Sequence, residues 1–153
     1  MVNSKTPRIG LVAGEKSGDA LGAGLITQLK ERLPSADFSG LGGEAMQSAG
    51  LHSIADMERL SVMGFVEPIK RLPDLISLRR DLYRHFLSWQ ADIVIAIDSP
   101  DFNLGLERKL KQKGVLCCHY VCPSVWAWRQ GRVKKIRRAV DHCLLYTSPS
   151  PRD

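Results

Sequence analysis

At 153 residues, 44% hydrophobic and 25% charged, with 13 Gly, 8 Pro and 4 Cys, the chain has the composition of a single globular domain; collagen-like, disulfide-scaffold and wholly disordered classes are excluded. Its formal net charge of +6, from 22 Lys+Arg against 16 Asp+Glu, favours anionic partners (phosphates, nucleic acid or anionic lipid headgroups) and is silent about fold. No stretch nears the roughly 20 apolar residues that span a bilayer, and the polar run Met1–Arg8 lacks the apolar core of a signal peptide, so a cytoplasmic chain is expected.

In chain order, Arg8–Ala13 reads as a buried strand ending in the loop Gly14-Glu-Lys-Ser-Gly-Asp19. Leu21, Leu25, Ile26, Leu29 and Leu33 then recur at helical spacing until Pro34 stops the run. Asp37–Leu41 reads as a second strand, and Glu44–Ala49 as a short helix closed by Gly50. Leu60–Val66 is apolar without a clear period. Helical spacing resumes at Leu72, Leu75, Ile76, Leu82 and Phe86, with Pro73 expected near the helix start, where proline is tolerated. Ile93-Val-Ile-Ala-Ile97 is the clearest strand, and its unbroken apolar run demands cover on both faces, as in a parallel sheet. A helix near 102–112, a strand near 115–121 and a helix near 130–138 follow. Strands alternating with helices predict an α/β fold built on a doubly wound parallel sheet.

The chain ends differently. Val140-Asp-His-Cys-Leu-Leu145 reads as the start of another strand, but Tyr146–Asp153 is polar, rich in proline and serine, and without period. The expectation is a Rossmann-like domain over 1–145, with a disordered foreign tail over 146–153 on a chain cut short.

Several groups of residues carry possible chemistry. Gly10-Leu-Val-Ala-Gly-Glu-Lys-Ser17 nearly matches a phosphate-cradling loop, but Glu15 stands where that motif needs its second glycine, and Asp19 adds a further negative charge. Two compatible readings remain: a helix start capped by Ser17 with Asp19 at the positive end of the dipole, and a glycine-rich turn at the ligand-binding edge of the sheet. Asp98, in Ile97-Asp-Ser-Pro-Asp-Phe-Asn103, follows the best strand at that same edge. Asp101 can cap the helix beginning near Phe102, whereas Pro100 separates Asp98 from that role, leaving it available as a general base. Trp126 and Trp128, beside Ser124 and Arg129, form either a sugar or acyl wall or ordinary packing.

Arg129, Arg132, Lys134, Lys135, Arg137 and Arg138 are clustered, and Lys70, Arg71, Arg79, Arg80 and Arg84 supply most of the remaining positive excess. A solvated helix face and an anionic lipid surface both fit; no nucleic-acid motif is present, so nucleic acid is not the partner expected. Cys117, Cys118, His119, Cys122 and His142 have no recognised zinc spacing, and strand alternation sends Cys117 and Cys118 to opposite faces, so no metal site is expected.

Four ordered segments, Val12–Asp19, Leu60-Ser-Val-Met-Gly64, Ile97–Asn103 and His119–Arg129, together resemble the lipid-A-disaccharide synthase family. The resemblance covers about Arg8 to Leu145 and the N-terminal half of the family's length. It implies a GT-B glycosyltransferase, two Rossmann-like domains across a cleft, of which this chain is the acceptor side. The implied reaction is an inverting transfer of 2,3-diacylglucosamine from UDP-2,3-diacylglucosamine to 2,3-diacylglucosamine 1-phosphate (lipid X), with release of UDP and no metal or cofactor. The resemblance makes Asp98 the base, and places Gly14, Glu15, Ser17, Gly18, Asp19, Ser124, Trp126 and Arg129 at the substrates. It also implies contact with acyl chains and with the anionic inner face of the bacterial inner membrane through Val66, Ile69, Leu72, Leu75 and Ile76. The competing expectation is a non-catalytic domain that binds anionic lipid. The isolated chain, without a donor domain, is expected to be inactive.

Overall fold

A computed structural model describes residues 6–61, 68–121 and 142–145. They form six strands and five helices in the order β1 (Arg8–Ala13), α1 (Lys16–Arg32), β2 (Asp37–Leu41), α2 (Glu44–Ala49), β3 (Leu51–Ser53), α3 (Glu58–Ser61), α4 (Pro68–Trp89), β4 (Ile93–Ile97), α5 (Pro100–Gln112), β5 (Leu116–Val121) and β6 (His142–Leu145). The strands make one sheet in the order β3-β2-β1-β4-β5-β6. Every neighbouring pair is parallel. The expected doubly wound parallel sheet is what forms.

The sheet is covered on both sides because its central strands are without polar side chains on both faces, β4 throughout and β1 from Ile9 to Ala13. One face puts Val12 and Val94 against Leu78, Leu82 and Phe86 of α4 and Leu106 and Leu110 of α5. The other puts Leu11, Ala13, Ile95 and Ile97 against Ile26 of α1 and Met46 of α2. Gly10 serves the first face: a Cβ there would come within 2.6 Å of the Phe86 ring, so the missing side chain lets that ring lie on the sheet. Cys117 and Cys118 fall in opposite cores, as alternation requires.

Some boundaries differ from expectation. α1 begins at Lys16 with Glu15 at its cap position, so Ser17 lies inside the first turn and does not cap. α5 begins at Pro100 behind Ser99, which puts Asp101 in its first turn instead of at its cap. Proline was expected near the start of α4; Pro68 occupies the first position, and Pro73 lies a turn and a half further in. There the helix forgoes the bond that residue 73 would give to the carbonyl of residue 69. β3 and α3, of three and four residues, were not expected. The helix expected near 130–138 and the stretch 146–153 lie outside the described residues.

Candidate active site

In a doubly wound sheet, ligands bind beyond the carboxyl ends of the strands where the strand order reverses. Here that point lies between β1 and β4, which pair directly and end in register at Ala13 and Ile97. The next residues of the two strands are Gly14 and Asp98. A Cβ on Gly14 would lie 2.6 Å from Leu60 and 3.0 Å from the Ser99 Oγ, so glycine allows the two strand ends to close on each other. Gly14 and Asp98 are therefore brought together, although 84 residues separate them in sequence.

Asp98 and Ser99 both take left-handed backbone conformations, with φ of 52° and 44°. Neither is glycine, and such conformations cost about 1–3 kcal/mol each and concentrate at functional sites. The Asp98 N–H donates to the Tyr120 carbonyl on β5 at 2.8 Å, and its carbonyl accepts from Nδ2 of Asn103 at 2.8 Å. Asp98 is half-buried at the rim.

Among the loop residues, Glu15 and Ser17 are exposed at this edge and Gly18 is buried. A Cβ on Gly18 would meet Ile97 at 3.4 Å, an ordinary contact, whereas one on Gly22 a turn later would come within 2.6 Å of the Met46 Sδ and 3.0 Å of Ile97, so Gly22 is the glycine that lets α1 lie close to β4. Asp19 is buried at 7% exposure, and its carboxylate serves a different helix from the one expected. It accepts from the backbone N–H groups of Gly43 (2.9 Å), Ala45 (3.1 Å) and Met46 (3.0 Å), closing the N-terminus of α2. Beside it opens a cleft of about 1000 Å³ lined by Lys16, Asp19, Gly43, Glu44, Asp56 and Met57, among others. Ser124, Trp126 and Arg129 lie outside the described residues.

The apolar patch resolves into two sides of one helix. Leu72 and Ile76, one turn apart on α4, are 54% and 57% exposed. Leu75, expected beside them, is turned the other way and packs in the core at 8% exposure. Val66 lies outside the described residues, as does the side chain of Ile69. Lys70, Arg80 and Arg84 are exposed. Arg79, expected to join them, turns inward: its guanidinium donates to the Phe102 and Asp101 carbonyls, both at 3.1 Å, and lies 5.1 Å from the Phe102 ring centre. Burial lowers its pKa from the usual value. No helix among the described residues is long and apolar enough to cross a membrane.

Sequence reasoning missed one buried pair. His119, weighed there as a metal ligand, instead has its Nδ1 2.8 Å from Oε1 of Glu107 on α5. Both side chains are fully buried. Burial raises the Glu107 pKa to about 7, against the lowering pull of His119. Near neutral pH the protonated Glu107 therefore competes with its own carboxylate. The available signal was the spacing of α5: Asn103 and Glu107 sit beside Phe102, Leu106 and Leu110 on its buried stripe.

Residues 9–147 match the family model described as lipid-A-disaccharide synthetase. The lipid-A-disaccharide synthase of Chromohalobacter salexigens is 59% identical over 139 residues, covering 91% of this chain and 36% of that protein. The synthase of Saccharophagus degradans is 54% identical over 141 residues, covering 92% and 36%; that of Neisseria meningitidis is 48% identical over 151 residues, covering 99% and 39%. The chain thus spans about a third of the length of the curated relatives it matches. Among solved structures, the glycosyltransferase SnogD from Streptomyces nogalater superposes with a TM-score of 0.50 at 14% identity, over 96% of this chain and 45% of that one. That likeness speaks to fold, and the fold is that of one Rossmann-like half of a GT-B glycosyltransferase. The match in sequence, running through Asp98 and almost from end to end, is what fixes the assignment: this chain belongs to the lipid-A-disaccharide synthase family.

Proposed function

We propose that the chain forms the acceptor-side part of an inverting glycosyltransferase that joins UDP-2,3-diacylglucosamine to lipid X. In the reaction, Asp98 takes the proton of the acceptor 6-hydroxyl as that oxygen bonds to the anomeric carbon of the donor. The bond from that carbon to UDP breaks on the opposite side, so the configuration inverts and UDP leaves with the bonding electrons. One base suffices for such a step. The observation that carries this reading is the strained backbone of Asp98 at the strand-order reversal, facing Gly14. Glu15 and Ser17, exposed at the same edge, are assigned to the polar groups of the bound sugars, with Gly14 and the buried Gly18 forming the turn beneath them. The carboxylate of Asp19 acts from beneath, by fixing α2 beside the cleft.

The exposed Leu72 and Ile76, with Lys70 and Arg80 nearby, support a peripheral position on the anionic inner face of the bacterial inner membrane. The same feature is all that a non-catalytic lipid-binding domain would need, so catalysis has to be tested at Asp98. A suitable enzyme is the C. salexigens relative carrying residues 9–147 of this chain in place of its own matching segment, called here the full-length hybrid. Asp98→Asn in that hybrid is expected to lower turnover by at least about 10²-fold, the low end of general-base contributions, while binding to lipid vesicles is unchanged. Retained turnover would place the base elsewhere.

A further inference from the structure

The restraints on the two left-handed residues converge on Asn103. Its backbone N–H donates to the Ser99 carbonyl at 2.9 Å. Its side-chain Nδ2 donates to the Asp98 carbonyl at 2.8 Å and approaches the Ile97 carbonyl at 3.5 Å. The Ser99 carbonyl is shared with the Phe102 N–H at 3.1 Å, so what the Asn103 side chain adds is its bond to the Asp98 carbonyl, while the Tyr120 carbonyl holds the Asp98 N–H from the other side. Asn103 is fully buried, and its Oδ1 has no hydrogen-bond partner among the described residues. Burying an unsatisfied amide oxygen is costly, and a leucine-like residue would avoid that cost. The side chain is thus explained by its donor, and the donor is aimed at Asp98.

We propose that Asn103 is a positioning residue for the transfer reaction, acting through Asp98. With the N–H and carbonyl of Asp98 both tied, its Cα–Cβ bond has one direction, and only side-chain torsions remain to place the carboxylate. Releasing the carbonyl lets the strained unit relax toward an ordinary conformation and swings the carboxylate off the acceptor hydroxyl. The inference rests on Asp98 being the base, as proposed above.

The test compares Asn103→Ala and Asn103→Leu in the full-length hybrid. The leucine keeps roughly the branched shape of asparagine and has no group that can donate. Either variant is expected to lower kcat by about 10–100-fold, the scale of a misplacement near 1 Å, with KM for lipid X changed less than about twofold. Added to Asp98→Asn, neither is expected to lower the residual turnover further, because the group it positions is already gone. Thermal melting reports the folded fraction, so kcat is taken per folded enzyme. Unchanged kcat, a loss that adds to that of Asp98→Asn, or failure of both variants to fold overturns the assignment. Full activity in Asp98→Asn alone is a separate failure: it removes the base reading, and this role with it.

Discussion

The carboxylate of Asp19 answers three backbone donors at the start of α2, from Gly43, Ala45 and Met46. Those groups have no partners within their own helix, so without Asp19 they would be left beneath the cleft unsatisfied. Gly43 belongs to the same arrangement, since a Cβ there would stand 2.7 Å from the Asp19 Oδ2. Asp19→Ala is therefore expected to destabilise the chain by about 2–4 kcal/mol, the sum of a lost cap and stranded donors, measured by urea unfolding. Asp19→Asn is expected to fall between the two, keeping one acceptor oxygen but setting an NH2 group against the third donor. If Asp19 instead gripped a substrate, stability would be unchanged and KM would rise. This role was not legible in the sequence. Asp19 and its partners are 24 to 27 residues apart, and local pattern offered only the nearer helix end. Asp98 was legible, because an aspartate directly after the most apolar strand stands at the sheet's carboxyl edge wherever the chain goes next.

At the scale of elements, β2 and β4 form over the residues expected: β4 is an unbroken apolar run, and in β2 Phe38 and Leu41 supply the apolar positions of a short strand between turn residues. β3 and α3 escaped because three or four residues hold no measurable period. α5 and β5 carry a prediction of their own in the Glu107–His119 pair. Glu107 has a folded pKa of about 7 against an ordinary 4.5. Below pH 4.5 the folded and unfolded chains both hold its proton, and stability is highest as far as this group is concerned. As pH rises toward 7 the unfolded chain releases the proton first, so stability falls; above 7 the loss is complete and constant. The total is on the order of 3 kcal/mol. Glu107→Gln keeps an acceptor for His119 but cannot ionise. Relative to the parent chain it is expected to gain about 2–3 kcal/mol between pH 5 and pH 8 in urea unfolding. No such gain would mean that Glu107 is ionised in the folded chain throughout this range.

For the whole molecule, the question is what a chain spanning about a third of its relatives' length does unaided. Turnover needs both substrates, and the proposed acceptor side supplies only one partner of the reaction, so UDP release is expected from the full-length hybrid and not from the 153-residue chain. A membrane surface needs less. Leu72 and Ile76 lie one turn apart and more than half exposed, and burying the exposed part of two such side chains in an interface yields about 2–3 kcal/mol before the cost of association. Lys70, Arg80 and Arg84, exposed on the same helix, add about 1 kcal/mol each only if they come near an anionic leaflet. Neither contribution alone makes firm binding, so the chain is expected to sediment with vesicles containing anionic phospholipid and only weakly with neutral ones. Raising the salt should weaken that binding without abolishing it, because the apolar part is unscreened. Leu72→Glu with Ile76→Glu should abolish it while leaving the melting temperature unchanged, since neither side chain packs in the core. Leu75→Ala is the control: it should cost about 2–5 kcal/mol of stability by opening the core. If the double glutamate variant still binds, and if binding extends to any polyanion and vanishes with salt, then the net charge of +6 accounts for the attraction and α4 has no part in holding a membrane.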